Sequence, residues 1–157
     1  MNKEYNLITQ CTFQAPARAV WDVTVNVTAY PEWWPYMNNV VIQGDETTLQ
    51  EDSNIHYTIK GFLPHSLQFQ THVTRCIPFS RIEMTAHGDL EGTGVSILDE
   101  RNGITTATFQ WDVVLISPLL NSLSEWRLFH KIFVWNHDFA MRAAVRNMQK
   151  RVHHVAA

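Results

Sequence analysis

Several ingredients are scarce in this 157-residue chain. It has two cysteines, Cys11 and Cys76, too few for a disulfide scaffold. They fit thiols in a reducing compartment and allow one bridge at most. Charged residues make up only 17%, below the roughly one quarter usual in globular domains. No apolar run approaches the roughly 18 residues of a membrane span, so no transmembrane segment is expected. The opening stretch, MNKEYNLITQ, has no apolar h-region. No secretory signal is therefore expected, and the expected location is the cytoplasm. Internal repeats, low-complexity tracts and linkers are missing. So are the signatures of common chemistries: GxSxG, a Walker loop, GxGxxG opening a helix, HExxH and CxxC. No motif implies a cofactor.

What is present is apolar and aromatic. Hydrophobic residues are 45% of the chain and six are Trp. Such a composition excludes disorder. It predicts one domain over 1–157, with either a ring-rich core or a ring-lined cavity. The net charge of −3 is unevenly spread. Residues 1–124 carry a balance of −7, and residues 125–157 one of +4, from Arg127, Lys131, Arg142, Arg146, Lys150 and Arg151 against Glu125 and Asp138. The basic end reads first as the solvated face of a helix whose last turn suits cations. A weak contact with a membrane or a partner is the alternative. Nucleic acid is not expected, because its binders are usually basic overall.

The pattern predicts a strand over 4–14 and a short helix over 17–25 opened by Pro16. TAYPEWWPYM, residues 28–37, reads as a second short helix or a tight corner, broken by Pro31 and Pro35. Strands follow at 38–44, 54–62, 66–77, 81–88, 90–99 and 104–116. Turn signals separate them at Gly44-Asp45, 61–64, 78–80, Gly88-Asp89 and 101–103. Short, regular spacing predicts antiparallel hairpins. Pro118 closes the last strand, Ser122 or Ser124 caps a helix, and no Gly or Pro interrupts the chain from there to about His153. Trp126, Phe129, Phe133, Ala140, Ala144 and Met148 recur at helical spacing, and so do Leu128, Ile132, Trp135 and Phe139. Such a broad stripe predicts a helix lying across the sheet. The fold class is α+β: a seven-stranded antiparallel sheet, two short helices after its first strand, and one long C-terminal helix.

FQAPARAVW (13–21) followed by YPEWWP (30–35) resembles the opening of START-like (SRPBCC) helix-grip proteins. GDLEGTG (88–94), Gly103 and the final helix fall where that superfamily would have them. Trp135-Asn-His-Asp138 is similar to its polyketide cyclase/dehydrase-like branch. The resemblance implies a curved sheet gripping the long helix, with a cavity between them. It implies a hydrophobic ligand of polyketide, lipid or isoprenoid type. Members of the superfamily include cyclising and dehydrating enzymes as well as plain carriers, so the family defines a site and not a reaction.

Side-chain alternation then predicts the concave face. Ile55 is set opposite Val73, Tyr57 opposite Thr71 and Ile59 opposite Phe69. Ile82, Met84 and Ala86 join them, then Glu91, Thr93, Val95 and Ile97, then Thr105, Ala107, Phe109, Trp111, Val113 and Leu115. The polar exceptions are Tyr57, Thr71, Arg75, Glu91, Thr93 and Thr105. Buried Arg75 or Glu91 would need a partner or a ligand, or would reach solvent at the rim. The same register sets His56, His72 and His87 together on the convex face, where exposed polar residues are ordinary; no metal site is expected. His130 and His137 lie about 10.5 Å apart along the helix, too far to share an ion. His137 has a pKa suited to proton transfer if it faces the cavity. The Trp residues divide: Trp21, Trp126 and Trp135 as core or helix anchors, Trp33, Trp34 and Trp111 at the cavity.

The expected ligand-binding set is therefore Trp33, Trp34, Tyr57, Phe69, Arg75, Glu91, Phe109, Trp111, Phe133 and His137. If the protein is an enzyme, the cavity would fold a flexible substrate while Tyr57, Arg75 or His137 polarised a carbonyl or moved a proton. No compact acid/base group is visible by spacing, which leaves two rivals. One is a non-catalytic carrier of lipid or quinone. The other is an interaction module, since some members of the superfamily associate with ribosomes.

Overall fold

The computed structural model describes residues 4–60, 66–116 and 127–157. Strand β1 (Glu4–Phe13) is followed by helix α1 (Ala17–Val25), a 3-10 turn (Val27–Ala29) and the short helix α2 (Tyr30–Trp33). Then come β2 (Met37–Ile42), β3 (Asn54–Ile59), β4 (Leu67–Ile77), β5 (Arg81–Gly88), β6 (Leu90–Arg101) and β7 (Ile104–Leu115). The long helix α3 spans Arg127–Ala156. The seven strands form one antiparallel, curled sheet in the order β1-β7-β6-β5-β4-β3-β2. The expected α+β helix-grip architecture is thus present. The expected strand residues 61–62, the 61–64 turn, Pro118, the Ser122 or Ser124 cap and Trp126 lie outside the described residues. No described helix is long and apolar enough to cross a membrane.

Local chemistry explains the joints. Pro16 stands before α1, where its missing N–H costs nothing. The free Ala17 N–H donates to the Glu100 carboxylate of β6 at 2.8 Å, so an anion sits at the positive end of the helix dipole. Asn102-Gly103 turns β6 into β7 with both residues at positive φ, 53° and 76°, as a two-residue hairpin requires. Thr105 is fully buried, and its hydroxyl donates to the Ala15 carbonyl at 2.7 Å, tying the end of β1 to β7.

The register corrects several expectations. Tyr57 lies opposite Phe69 and Ile55 opposite Thr71, two residues away from the predicted pairing. An even slip keeps every side chain on its face. The β5–β6 connection differs by one residue, and an odd slip reverses the face. Ala86 pairs with Gly92 and Met84 with Gly94. Leu90, Gly94 and Leu98 are therefore buried, while Glu91 and Ile97 are exposed. A bulge between Val73 and Arg75 reverses β4 in the same way. Cys76 then aligns with inward Ile82, and Arg75 turns outward beside Glu83, 3.8 Å away. The three convex histidines do not cluster. His56 and His87 flank Gln70 on different strands, and His72 contacts Asn54 at 3.1 Å. No group of three metal-ligating side chains occurs among the described residues.

Glycines on the inner face of β6 let β7 approach closely. A Cβ on Gly92 would lie 2.0 Å from the Asp112 carbonyl oxygen, at a φ of +150°. One on Gly94 would lie 2.8 Å from the Trp111 ring. Gly44 also has a positive φ, +101°, but faces open space. Gly92→Ala is therefore expected to cost at least about 2 kcal/mol, because both clash and strain apply. Gly44→Ala is expected to cost about 1 kcal/mol, the smaller loss, because only backbone strain applies. Urea denaturation of the two variants checks the contrast; equal losses would remove the close-approach argument.

Candidate functional site

Helix α3 lies over the concave face through Phe133, Ala144, Met148 and Val152, all buried. It is held beside α2 by two polar contacts. Asn147 Nδ2 donates to the Trp33 carbonyl at 2.7 Å, and Arg151 meets Glu32 at 2.8 Å. Further along, Gln149 donates to the Thr12 carbonyl at 2.9 Å. Between helix and sheet remains a cavity of about 200 Å³.

Eight of the ten expected site residues line it: Trp33, Trp34, Tyr57, Phe69, Phe109, Trp111, Phe133 and His137. Arg75 and Glu91 do not, because the bulge and the odd register turn them to the convex side. The sheet wall is a chain of rings. Tyr57 stacks on Phe69 at 5.1 Å, and Phe69 meets Trp111 edge-on at 6.1 Å. The space over Gly94 is what admits the Trp111 ring. The corner after α1 adds a second group: Trp33 stacks on Trp34 at 5.7 Å, and Tyr30 contacts both. Tyr30, Met84, Met141 and Met148 also line the cavity; Met84 was expected on the concave face and Met148 in the helix stripe, but none of the four was in the expected ligand-binding set. Their signal was weak, because an apolar residue facing a cavity has the same periodicity as one facing a packed core. Ser96 was missed through the β6 register alone.

Trp135 corrects the division of the tryptophans. It is 57% exposed on the outer side of α3 rather than anchored to the core. The row Phe133, Ala144, Met148 takes the inward side of the helix, so a residue two positions from Phe133 points away.

The cavity has no Asp, Glu, Lys or Arg among its described lining residues. Its titratable groups are His137 and the phenols of Tyr30, Tyr36 and Tyr57. Burial pushes Tyr57 up to about 12, against the opposite pull of the Thr71 hydroxyl, and pushes Tyr30 well above its ordinary value. Both phenols stay neutral. Burial also lowers His137 below its ordinary 6.5, with Asp138, 3.4 Å from Nδ1, pulling the other way. The imidazole is therefore neutral at pH 7. Two polar atoms of lining residues, Trp33 Nε1 and Asn136 Oδ1, are buried with no hydrogen-bond partner among the described residues. An uncharged pocket with an unused donor and an unused acceptor suits a neutral molecule carrying polar atoms. Neither cysteine is primed as a nucleophile: burial pushes Cys11 up to about 11 and raises Cys76.

The depressed His137 pKa has a consequence for stability. The unfolded chain takes up this proton near pH 6.5, and the native state only at lower pH. Unfolding thus binds a proton inside that window, so stability rises with pH there. The contribution is complete above pH 6.5 and is lost as the pH falls below it. His137→Asn is expected to flatten this part of the pH profile relative to the parent chain. Urea midpoints measured across the mildly acidic range test it, and parallel profiles would refute it.

No family model and no curated protein matches this chain by sequence. Solved structures do match its shape. The Zhui aromatase/cyclase from a Streptomyces species superposes with a TM-score of 0.76 at 14% identity, over 96% of this chain and 94% of that one. The protein TTHA0849 from Thermus thermophilus gives 0.74 at 11% identity, over 98% and 100%. A START superfamily protein from Mycobacterium smegmatis gives 0.70 at 12% identity, over 96% and 98%. At such identities the likeness is one of fold. The chain has a START-like helix-grip fold, shared with an aromatase/cyclase and with a START superfamily protein.

Proposed function

We propose that this protein binds a neutral hydrophobic small molecule of polyketide, lipid or isoprenoid type between the sheet and α3. The observation that carries the reading is the lining: rings and methionines, no formal charge, and the neutral polar groups of Tyr57, Asn136 and His137. Burying an ionised headgroup there would leave it without a counter-charge, at a cost of several kcal/mol. The ligand therefore presents hydroxyl or carbonyl groups rather than a carboxylate or phosphate. The same reading has the protein work in the cytoplasm, where the free thiols of Cys11 and Cys76 stay reduced.

Catalysis is the second reading, favoured by the neutral imidazole of His137 in the cavity wall and by the fold shared with an aromatase/cyclase. In it, His137 accepts a proton from the substrate and returns it to a developing hydroxyl, while the neutral Tyr57 phenol donates to a carbonyl. Arg75 takes no part.

The readings separate in one experiment. Native mass spectrometry of freshly purified protein, with extraction of the bound compound, is expected to show an apolar neutral molecule. A recovered compound that is chemically altered on incubation favours the enzyme; an unchanged one favours the carrier. In titrations, an uncharged naphthylamine dye is expected to bind at least about tenfold more tightly than its sulfonated analogue, one unpaired charge being enough for that ratio. Trp111→Ala and Tyr57→Phe are expected to weaken the uncharged dye. Undiminished binding in both, or equal affinity for the two dyes, would overturn the cavity assignment.

A further inference from the structure

The outer face of α3 carries a pattern that the cavity does not use. Leu128, Ile132, Trp135 and Phe139 are 59%, 42%, 57% and 44% exposed. Their spacing of four, three and four puts them in one row, about 17 Å long at about 1.5 Å per residue. The sequence pattern set this row against the sheet, but Phe133, Ala144, Met148 and Val152 occupy that side. Trp135 and Phe139 stack on each other at 5.8 Å, forming one aromatic surface. Single exposed apolar residues are ordinary, whereas four large ones in line form a patch.

The same row continues with charge. Arg142, Arg146 and Lys150 follow Phe139 at steps of three, four and four, and all three are exposed. No carboxylate pairs with them among the described residues; the one ion pair made by an Arg or Lys of α3 there is Arg151–Glu32. Lys131 flanks the apolar half, with exposed Asp138 the only described acid on the helix. Residues 1–124, in contrast, carry a balance of −7. One straight helix edge therefore presents an apolar half and a cationic half on a molecule that is otherwise acidic.

We propose that this edge of α3 docks on an anionic phospholipid bilayer. Leu128, Ile132, Trp135 and Phe139 enter the boundary between headgroups and acyl chains, where amphipathic aromatics are at home. Arg142, Arg146 and Lys150 pair with lipid phosphates alongside. Each half argues against a different rival. A nucleic-acid backbone would engage the cations and leave the large apolar row unused. A second copy docked by the same edge would bring its own cations and only Asp138 as an acid to meet these. The docked edge borders the cavity, because Phe139 packs on Tyr36, a lining residue, at 6.5 Å between ring centroids.

Co-sedimentation with vesicles tests it, using equal parts phosphatidylglycerol and phosphatidylcholine against phosphatidylcholine alone. Binding to the anionic vesicles is expected, weakening with added salt. Arg142→Glu/Arg146→Glu and Trp135→Ser/Phe139→Ser are each expected to reduce it by at least about tenfold. Far-ultraviolet circular dichroism and uncharged-dye binding should stay at the parent level, since these side chains are outside the cavity. Loss of vesicle binding with retained dye binding thus bears on docking alone, and loss of dye binding in the parent chain bears on the cavity alone. Three results would overturn the docking proposal. One is equal or absent binding to the two vesicle types. Another is anionic-vesicle binding indifferent to both double variants. The last is a self-associated species in sedimentation velocity that Trp135→Ser/Phe139→Ser dissolves, which would assign the row to a second copy.

Discussion

Contact between α3 and the concave face of the sheet is the constraint on which the other features depend. Val73, Ile82, Ala107 and Leu115 make that face too apolar to meet water, and the inward row Phe133, Ala144, Met148, Val152 is what covers it. The cover is incomplete by construction. Ala140 and Ala144 are small, so the helix approaches the sheet without filling the space beneath it. Asn147 and Arg151 hold the C-terminal half of the helix to α2. Trp33 and Trp34 are thereby fixed at the corner, and the cavity is left under the stretch of helix from Phe133 to Met148, against the rings of Tyr57, Phe69 and Trp111.

Charge is distributed to suit that arrangement. Arg75, Glu83 and Glu91 stand on the convex side or at strand ends, and Arg142, Arg146 and Lys150 stand on the outer edge of α3. Among the described residues, what remains inside is neutral, including a histidine whose proton is disfavoured by burial. The low overall charge of the chain thus has a structural counterpart: an interior that would penalise an ion, and a helix whose two long faces have different tasks. The inward face closes the sheet, and the outward one presents rings and cations.

Much of the fold was legible in order and periodicity. Turn signals such as Asn102-Gly103 end strands for a local steric reason, so element identity survives without knowledge of neighbours. Eight of the cavity residues followed from alternation along β3, β4 and β7, the corner after α1 and the helix spacing. The failures have a common cause. Pairing β3 with β4 two residues out of place was harmless, since alternation has a period of two. The one-residue difference at Gly88–Leu90 and the bulge at Val73–Arg75 were not harmless, and they reversed Glu91 and Arg75. A bulge leaves no reliable mark in a single sequence, because it is settled by how two strands twist against each other.

The sequence by itself determined the succession of elements, their antiparallel hairpins, the single long helix and the aromatic, weakly charged interior. All of these rest on interactions within a few residues, or on composition summed over the chain. Tertiary structure alone decided which of the two apolar rows of α3 would be buried. Both rows, Phe133–Ala144–Met148 and Leu128–Ile132–Trp135–Phe139, satisfy helical spacing equally. The choice follows from the pins at Asn147 and Arg151 and from the fit of small residues over a curved sheet. It gives Phe133 and His137 to the cavity and leaves Trp135 and Phe139 facing outward.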